Sequence, residues 1–98
     1  MSPGATIPAV VTAIVLINTE RGRVVDVAQQ LTEIDGVTEV FSVAGRYDLV
    51  ALIRVPTNDR MADLVTGHLL RVDGVAGTET LTAFRAYSRH DLERMFGL

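Results

Sequence analysis

The chain alternates short, densely apolar runs with longer amphipathic stretches, and the two periods predict its elements in order. From Val10 to Ile17 the residues are mostly β-branched or aliphatic, and Asn18-Thr19 ends the run, so this is a buried strand. Val24, Val27, Ala28, Leu31 and Ile34 then recur at i, i+3, i+4, i+7 and i+10, the stripe of an amphipathic helix that stops at Asp35-Gly36. Glycine at that point suits a left-handed cap. Val37 to Val43 reads as a second strand, and Gly45-Arg46-Tyr47-Asp48 turns it into a third, Leu49 to Val55. That third run is apolar almost without interruption, as in a sheet centre, and Pro56 closes it.

A second helix is predicted from Asn58 to Val72, with Met61, Leu64, Val65, His68, Leu69 and Val72 on one face, and it too ends at an Asp-Gly pair, Asp73-Gly74. A fourth strand follows to about Tyr87. Ser88 is then placed to cap a short C-terminal helix with an apolar patch of Leu92, Met95 and Phe96. Residues 1–8 carry Pro3, Gly4 and Pro8 and no period, the pattern of a loose arm. The organisation expected is therefore a flexible arm, 1–8, and one domain, 9–98.

An internal repeat decides the topology. At a gapless offset of 38 the pairs Ala13/Ala51, Thr19/Thr57, Val27/Val65, Leu31/Leu69, Asp35/Asp73, Gly36/Gly74 and Val37/Val75 are identical. Strand, helix and cap recur in register. Two βαβ units with right-handed crossovers, interleaved into one sheet, place both helices on one face and strands one and three in the middle. The fold class expected is α+β, a ferredoxin-like βαββαβ domain with an antiparallel sheet. Strands one and three are apolar at consecutive positions, so the face away from the helices is expected to be apolar as well. At about 25 cal/mol per Å² of apolar surface, covering such a face stabilises a pair of chains by many kcal/mol, which predicts a homodimer packed sheet on sheet, the pairing of dimeric α+β barrels.

Composition narrows the function classes. With 98 residues and 48% hydrophobic, one core and no second module are expected. Nine Arg and no Lys stand against twelve acidic residues, and no basic run marks a nucleic-acid patch, which argues against DNA binding by this chain alone. The lack of cysteine excludes disulfides and thiolate metal sites and fits a cytoplasmic protein. The nine apolar residues from Ala9 to Ile17 fall well short of the ~20 that span a bilayer.

No nucleophile with a base, carboxylate pair or metal cluster stands at a persuasive spacing, so no catalytic residue, metal or cofactor is assigned. Acylphosphatases have this size and topology, but they depend on a glycine-rich phosphate loop after strand one. Here that stretch is Asn18-Thr19-Glu20-Arg21-Gly22-Arg23, with one glycine and an unwelcome carboxylate. His68 sits on the apolar stripe of the second helix, the place of a core or interface histidine, and His90 beside Asp91 reads as a solvated helix start. The constellation with chemical content is Gly45-Arg46-Tyr47-Asp48. Glycine permits close backbone approach, free N–H groups in such a turn suit a carboxylate, Asp48 can bind backbone amides, and Arg46 adds a charge-assisted donor. A plain tight hairpin is the competing reading. Thr78, Thr80 and Thr82 alternate and put three hydroxyls on one face of an edge strand, ordinary for a solvated strand but usable for binding if a subunit contact buries them.

These segments together bring a resemblance. Val43-Ala44-Gly45-Arg46-Tyr47-Asp48, Arg54-Val55-Pro56, Leu69-Leu70-Arg71-Val72-Asp73-Gly74-Val75 and Thr78-Glu79-Thr80 resemble, in order and spacing, the C-terminal effector-binding domain of Lrp/AsnC transcriptional regulators, over about Val10 to Tyr87. The resemblance implies pairing through the sheet, assembly of dimers into octamers or similar rings, and amino-acid binding at contacts between dimers. Carried over by position, Gly45, Tyr47 and Asp48 fall on the effector loop, and Thr80, Leu81 and Thr82 on the strand-four segment. Arg46 stands where the family varies and is included for its chemistry. Full-length members carry a helix-turn-helix domain ahead of this one, whereas eight residues precede strand one here, which implies the stand-alone type, acting by co-assembly with full-length regulators or by binding effectors itself. Two alternatives share the fold: a small monooxygenase-like enzyme of the dimeric α+β barrel group, which needs a polar cavity between helices and sheet, and an ACT-type regulatory module, whose glycine follows strand one, where Gly22 stands.

Overall fold

A computed structural model describes residues 10–87 and 89. The predicted N-terminal arm, His90 and the C-terminal helix with its Leu92, Met95 and Phe96 patch lie outside the described residues. Strand β1 (Val11–Thr19) leads into helix α1 (Val24–Thr32), strands β2 (Val37–Ser42) and β3 (Leu49–Val55), helix α2 (Asn58–Gly67), a 3₁₀ turn (Leu69–Arg71) and strand β4 (Val75–Thr82). All pairings are antiparallel and the sheet order is β2-β3-β1-β4, which is the ferredoxin-like arrangement with β1 and β3 central.

The register of β1 against β3 fixes the layers. Ala13 lies opposite Ile53, Ile14 opposite Leu52 and Val15 opposite Ala51. Leu52 stands 38 residues after Ile14, so the dyad that relates the two halves of the sequence passes through this pair. Odd-numbered Ala13, Val15 and Ile17, with Leu49, Ala51, Ile53 and Val55, face the helices and form the core with Val27 and Leu31 of α1, Met61 and Leu64 of α2, and Leu69. Even-numbered Ile14, Leu16, Val50 and Leu52 face the other way. With the exposed Phe41 and Leu81 they make the open face apolar, as expected.

The two Asp-Gly turns are built alike. Gly36 has φ +103° and Gly74 φ +101°, and each carbonyl accepts from the other repeat: Gly36 O from Arg54 N at 2.9 Å, Gly74 O from Glu20 N at 2.7 Å. A Cβ on Gly36 would stand 2.6 Å from Leu64 Cδ1, and one on Gly74 2.7 Å from Val27 Cγ2, so glycine is required twice over, by conformation and by room.

Helix starts differ between the halves. Thr57 caps α2, its Oγ1 accepting from Arg60 N at 3.1 Å. Arg23 precedes α1 with no side-chain cap. It instead donates to Asp26 in the first turn (Nη2 to Oδ2, 2.6 Å) and to Asp73 of the second Asp-Gly turn (3.1 Å). These bonds, that to Asp26 first, raise the guanidinium pKa above its ordinary value.

Two boundaries differ markedly from the sequence reading. The second helix does not run to Val72. It gives way at Gly67, a weak helix former, to a 3₁₀ turn in which Arg71 N donates to His68 O and Val72 N to Leu69 O. That tightening carries Leu69 fully into the core and leaves His68 exposed at the helix end, so His68 is neither a core nor a stripe residue. Strand β4 stops at Thr82 rather than near Tyr87: past the bond from Ala83 N to Thr12 O, no further pairing with β1 forms.

Gly36→Ala is expected to cost about 3 kcal/mol in urea unfolding, from positive-φ strain plus the clash with Leu64. Gly67→Ala, where a Cβ meets nothing within 4 Å, should be neutral or stabilising by up to about 1 kcal/mol. Equal losses at the two positions would show that the Asp-Gly turn is not a packing constraint.

Candidate functional site

The β2–β3 connection is held by one side chain. Val43 N donates to Asp48 O at 3.1 Å, closing the loop, and Asp48 N donates to Ile17 O at 2.9 Å, docking it on the end of β1. The Asp48 carboxylate accepts twice through Oδ2, from Thr19 N at 2.8 Å and from Thr19 Oγ1 at 3.2 Å. Asp48 is thus occupied as the clamp that anchors the loop. Within it Gly45 has φ +130° with open space where a Cβ would be, so glycine serves the backbone path rather than a close contact. The amides of Ala44, Gly45, Arg46 and Tyr47 have no acceptor among the described residues, and the Arg46 side chain is exposed. Next to a guanidinium, the loop therefore carries N–H groups without protein acceptors among the described residues, which is chemistry suited to a carboxylate.

Tyr47 leaves the loop across the sheet. Its hydroxyl donates to Glu79 Oε1 on β4 at 2.6 Å, so the side chain spans β1, which lies between β3 and β4. That bond to Glu79, together with partial burial and the carboxylate charge, raises the phenol pKa above 10, while Arg46 opposes the shift. Glu79 is paired with Leu16 and lies on the open face. It was no candidate in the sequence. The available signal is that it is the only charged residue between Val75 and Thr82 and occupies the repeat position of Phe41.

The strand-four candidates divide between two faces. Thr82, Thr80 and Thr78 pair with Ala13, Val15 and Ile17, so the hydroxyl row lies on the helix side of the sheet edge, whereas Leu81 pairs with Ile14 and belongs to the open face. Asp48 contacts Ile17 and Thr19 at one end of β1, and Thr82 lies beside Ala13, about 13 Å away at ~3.3 Å per residue. Within one chain the structure joins Tyr47 of the loop to Glu79 and Asp48 to Thr19, leaves Gly45 and Arg46 exposed in the loop, and sets Thr80 on the opposite face from Glu79 and Thr82 farther along the strand.

Elsewhere, a cleft of about 580 Å³ lies between the end of α1 and α2, lined by Glu33, Asp35, Arg60, His68 and Arg71 over Leu64, at the Val55 end of β3 and so at the far end of the sheet from the loop. The space between helices and sheet is filled by aliphatic side chains, and no polar residue is buried among the described residues. Among those residues no group of His, Asp or Glu is placed to hold a metal, and no helix is long and apolar enough to cross a membrane.

Comparison with known proteins agrees with the fold. Residues 12–92 match the family model of the Lrp/AsnC ligand-binding domain. A curated HTH-type transcriptional regulator of Pyrococcus horikoshii, PH1916, itself uncharacterized, is 36% identical over 59 residues, 60% of this chain; that match spans 39% of the relative's length. The crystal structure of TTHA0845 from Thermus thermophilus superposes with a TM-score of 0.76 at 47% identity, covering 81% of this chain and 99% of that one. The fold also recurs, at 14% identity and a TM-score of 0.74, in the transcriptional regulator NMB0573 of Neisseria meningitidis, solved as a complex with L-Met, over 91% of this chain and 58% of that one.

In a Tyr87→Phe background, the absorbance titration of Tyr47 should show a midpoint above 10 that falls back toward 10 in Glu79→Gln. Because the folded-state pKa is raised, the stabilisation from this bond is complete below pH 10 and is lost as the pH rises through the raised value. A midpoint unmoved by Glu79→Gln would show that the bond does not persist in solution.

Proposed function

The chain belongs to the Lrp/AsnC ligand-binding-domain family, and from that premise we propose that it is a non-enzymatic module that binds an amino acid or related small effector and assembles with copies of itself in the cytoplasm. The observation that carries this reading is the anchored loop. Asp48 fixes its base, Gly45 sets its path, and four amides beside Arg46 are left without protein acceptors among the described residues. A turn held this rigidly is preorganised for an anionic group, so little ordering cost falls on binding. The complex of NMB0573 with L-Met supports an α-amino acid as the class of effector.

Assembly enters through the open face. Ile14, Leu16, Val50, Leu52, Phe41 and Leu81 form an apolar surface centred on the repeat dyad, the type of surface that a second sheet covers. Because Thr80 and Thr82 stand away from the loop of their own chain, a site that uses both needs them from a neighbouring copy, which supports effector binding at contacts within a larger ring such as an octamer. Curated relatives are HTH-type transcriptional regulators, and co-assembly with regulators that carry a DNA-binding domain is the proposed route to transcription. The monooxygenase-like alternative gains nothing from the filled space between helices and sheet.

Calorimetry against the standard amino acids should find at least one bound below millimolar, weakened about tenfold or more by Arg46→Ala, the worth of a charge-assisted hydrogen bond. No binding at that level would end the effector reading. Light scattering should give at least a dimer, and Leu52→Glu, with its helical signal retained by circular dichroism, should give smaller species. A wild-type monomer would refute sheet pairing.

A further inference from the structure

Glu79 is out of keeping with its surroundings. On the open face its cross-strand partner is Leu16, Leu81 follows on the same side of β4, and the repeat places Phe41 at the equivalent position of β2. A carboxylate has acceptor sites for about four hydrogen bonds. Among the described residues Glu79 receives one, from the Tyr47 hydroxyl at 2.6 Å. Asp48, by contrast, accepts two bonds from Thr19 through Oδ2 and is half-buried as the anchor of the loop. Of the two carboxylates tied to the loop, Glu79 is the exposed one and the one with more acceptor sites open.

The geometry relates it directly to the loop. The residue whose hydroxyl holds Glu79 is the same one whose amide is among the free donors, so the open carboxylate lies one tyrosine side chain from the carboxylate-binding turn. An α-amino acid carries its two charges on neighbouring groups of one short backbone, and a site for it needs donors and an anion at close quarters. Resting on the effector reading above, we propose that Glu79 is the anionic half of the site: the loop amides and Arg46 take the ligand carboxylate, and Glu79, oriented by Tyr47, takes the α-ammonium group. The ligand class is therefore molecules with a free amino group, and simple carboxylic acids, held by the loop alone, bind weakly. Tyr47 acts as the positioning residue, since its bond fixes which carboxylate oxygen remains open.

The test pairs each amino acid of the calorimetric screen with the carboxylic acid that lacks only its amino group, alanine with propionate for instance. Glu79→Gln keeps an oxygen to accept from Tyr47 and removes the charge, so the fold, checked by circular dichroism, should be intact. Amino-acid affinity should fall at least tenfold in this variant, whereas the des-amino acids should bind wild type and variant equally weakly. Tyr47→Phe should weaken amino acids by a smaller factor and leave des-amino acids unchanged. If wild type binds an amino acid and Glu79→Gln binds it within twofold, or if both ligand series weaken together, Glu79 does not read the ammonium and this inference is overturned while the effector reading stands. Failure of wild type to bind any amino acid defeats the effector reading itself.

Discussion

The register between β1 and β3 is the constraint on which everything else depends. Side chains alternate across a sheet, so a slip of one residue would turn Ala13, Val15 and Ile17 out of the core and Ile14 and Leu16 into it. The observed pairing sets small against large, Ala13 opposite Ile53 and Ala51 opposite Val15, and all four are fully buried. It also puts the dyad of the sequence repeat through Ile14 and Leu52. The two central strands are apolar on both sides, and helices that attach in the same sense to each half can cover only one of them. The open apolar face is therefore a direct consequence of building a small domain from a doubled βαβ unit.

That same register positions the loop. Because Ile17 lies opposite Leu49, the residue before β3 meets the end of β1, where Ile17 O accepts from Asp48 N and Thr19 donates to the Asp48 carboxylate. Repeat-related Thr57 caps a helix, whereas Thr19 anchors a loop. The identical residue performs different work because β3 is followed by a helix start at Thr57, while Thr19 faces the connection that only the first half possesses. Tyr47 then extends the reach of the loop over β1 to β4.

Most of the fold was legible in the sequence because it rests on local periods and on the repeat. The two helical stripes, the alternation-free central strands and the paired Asp-Gly turns named the elements, their order and the sheet topology. Errors fell where tertiary packing overrides the period. His68 fits a continuous helical stripe, but the chain tightens after Gly67 so that Leu69 can reach the core. The end of β4 is set by where its pairing with β1 lapses, after Ala83, which no residue near Tyr87 encodes. At the candidate site the loop could be read from glycine and aspartate chemistry, yet Asp48 proved to be turned inward to Thr19, 29 residues away, and the Tyr47 to Glu79 bond joins residues 32 apart. Contacts at that separation leave no local pattern.

The break in the repeat is where the proposed site lies. Phe41 and Glu79 occupy equivalent positions on the two edge strands, and on an apolar face one continues the surface while the other interrupts it with a charge. A carboxylate left in water costs nothing there. Once a second sheet covers the face, its remaining lone pairs lose water, and that loss is severe unless partners replace it. Tyr47 replaces one. On the proposed reading a ligand ammonium supplies another and brings with it a positive charge, so the group that penalises dry pairing of two sheets favours pairing around an amino acid. Assembly and effector binding then share one contribution to their free energies, carried by a single side chain, and by reciprocity the factor by which effector favours assembly is the factor by which assembly raises effector affinity.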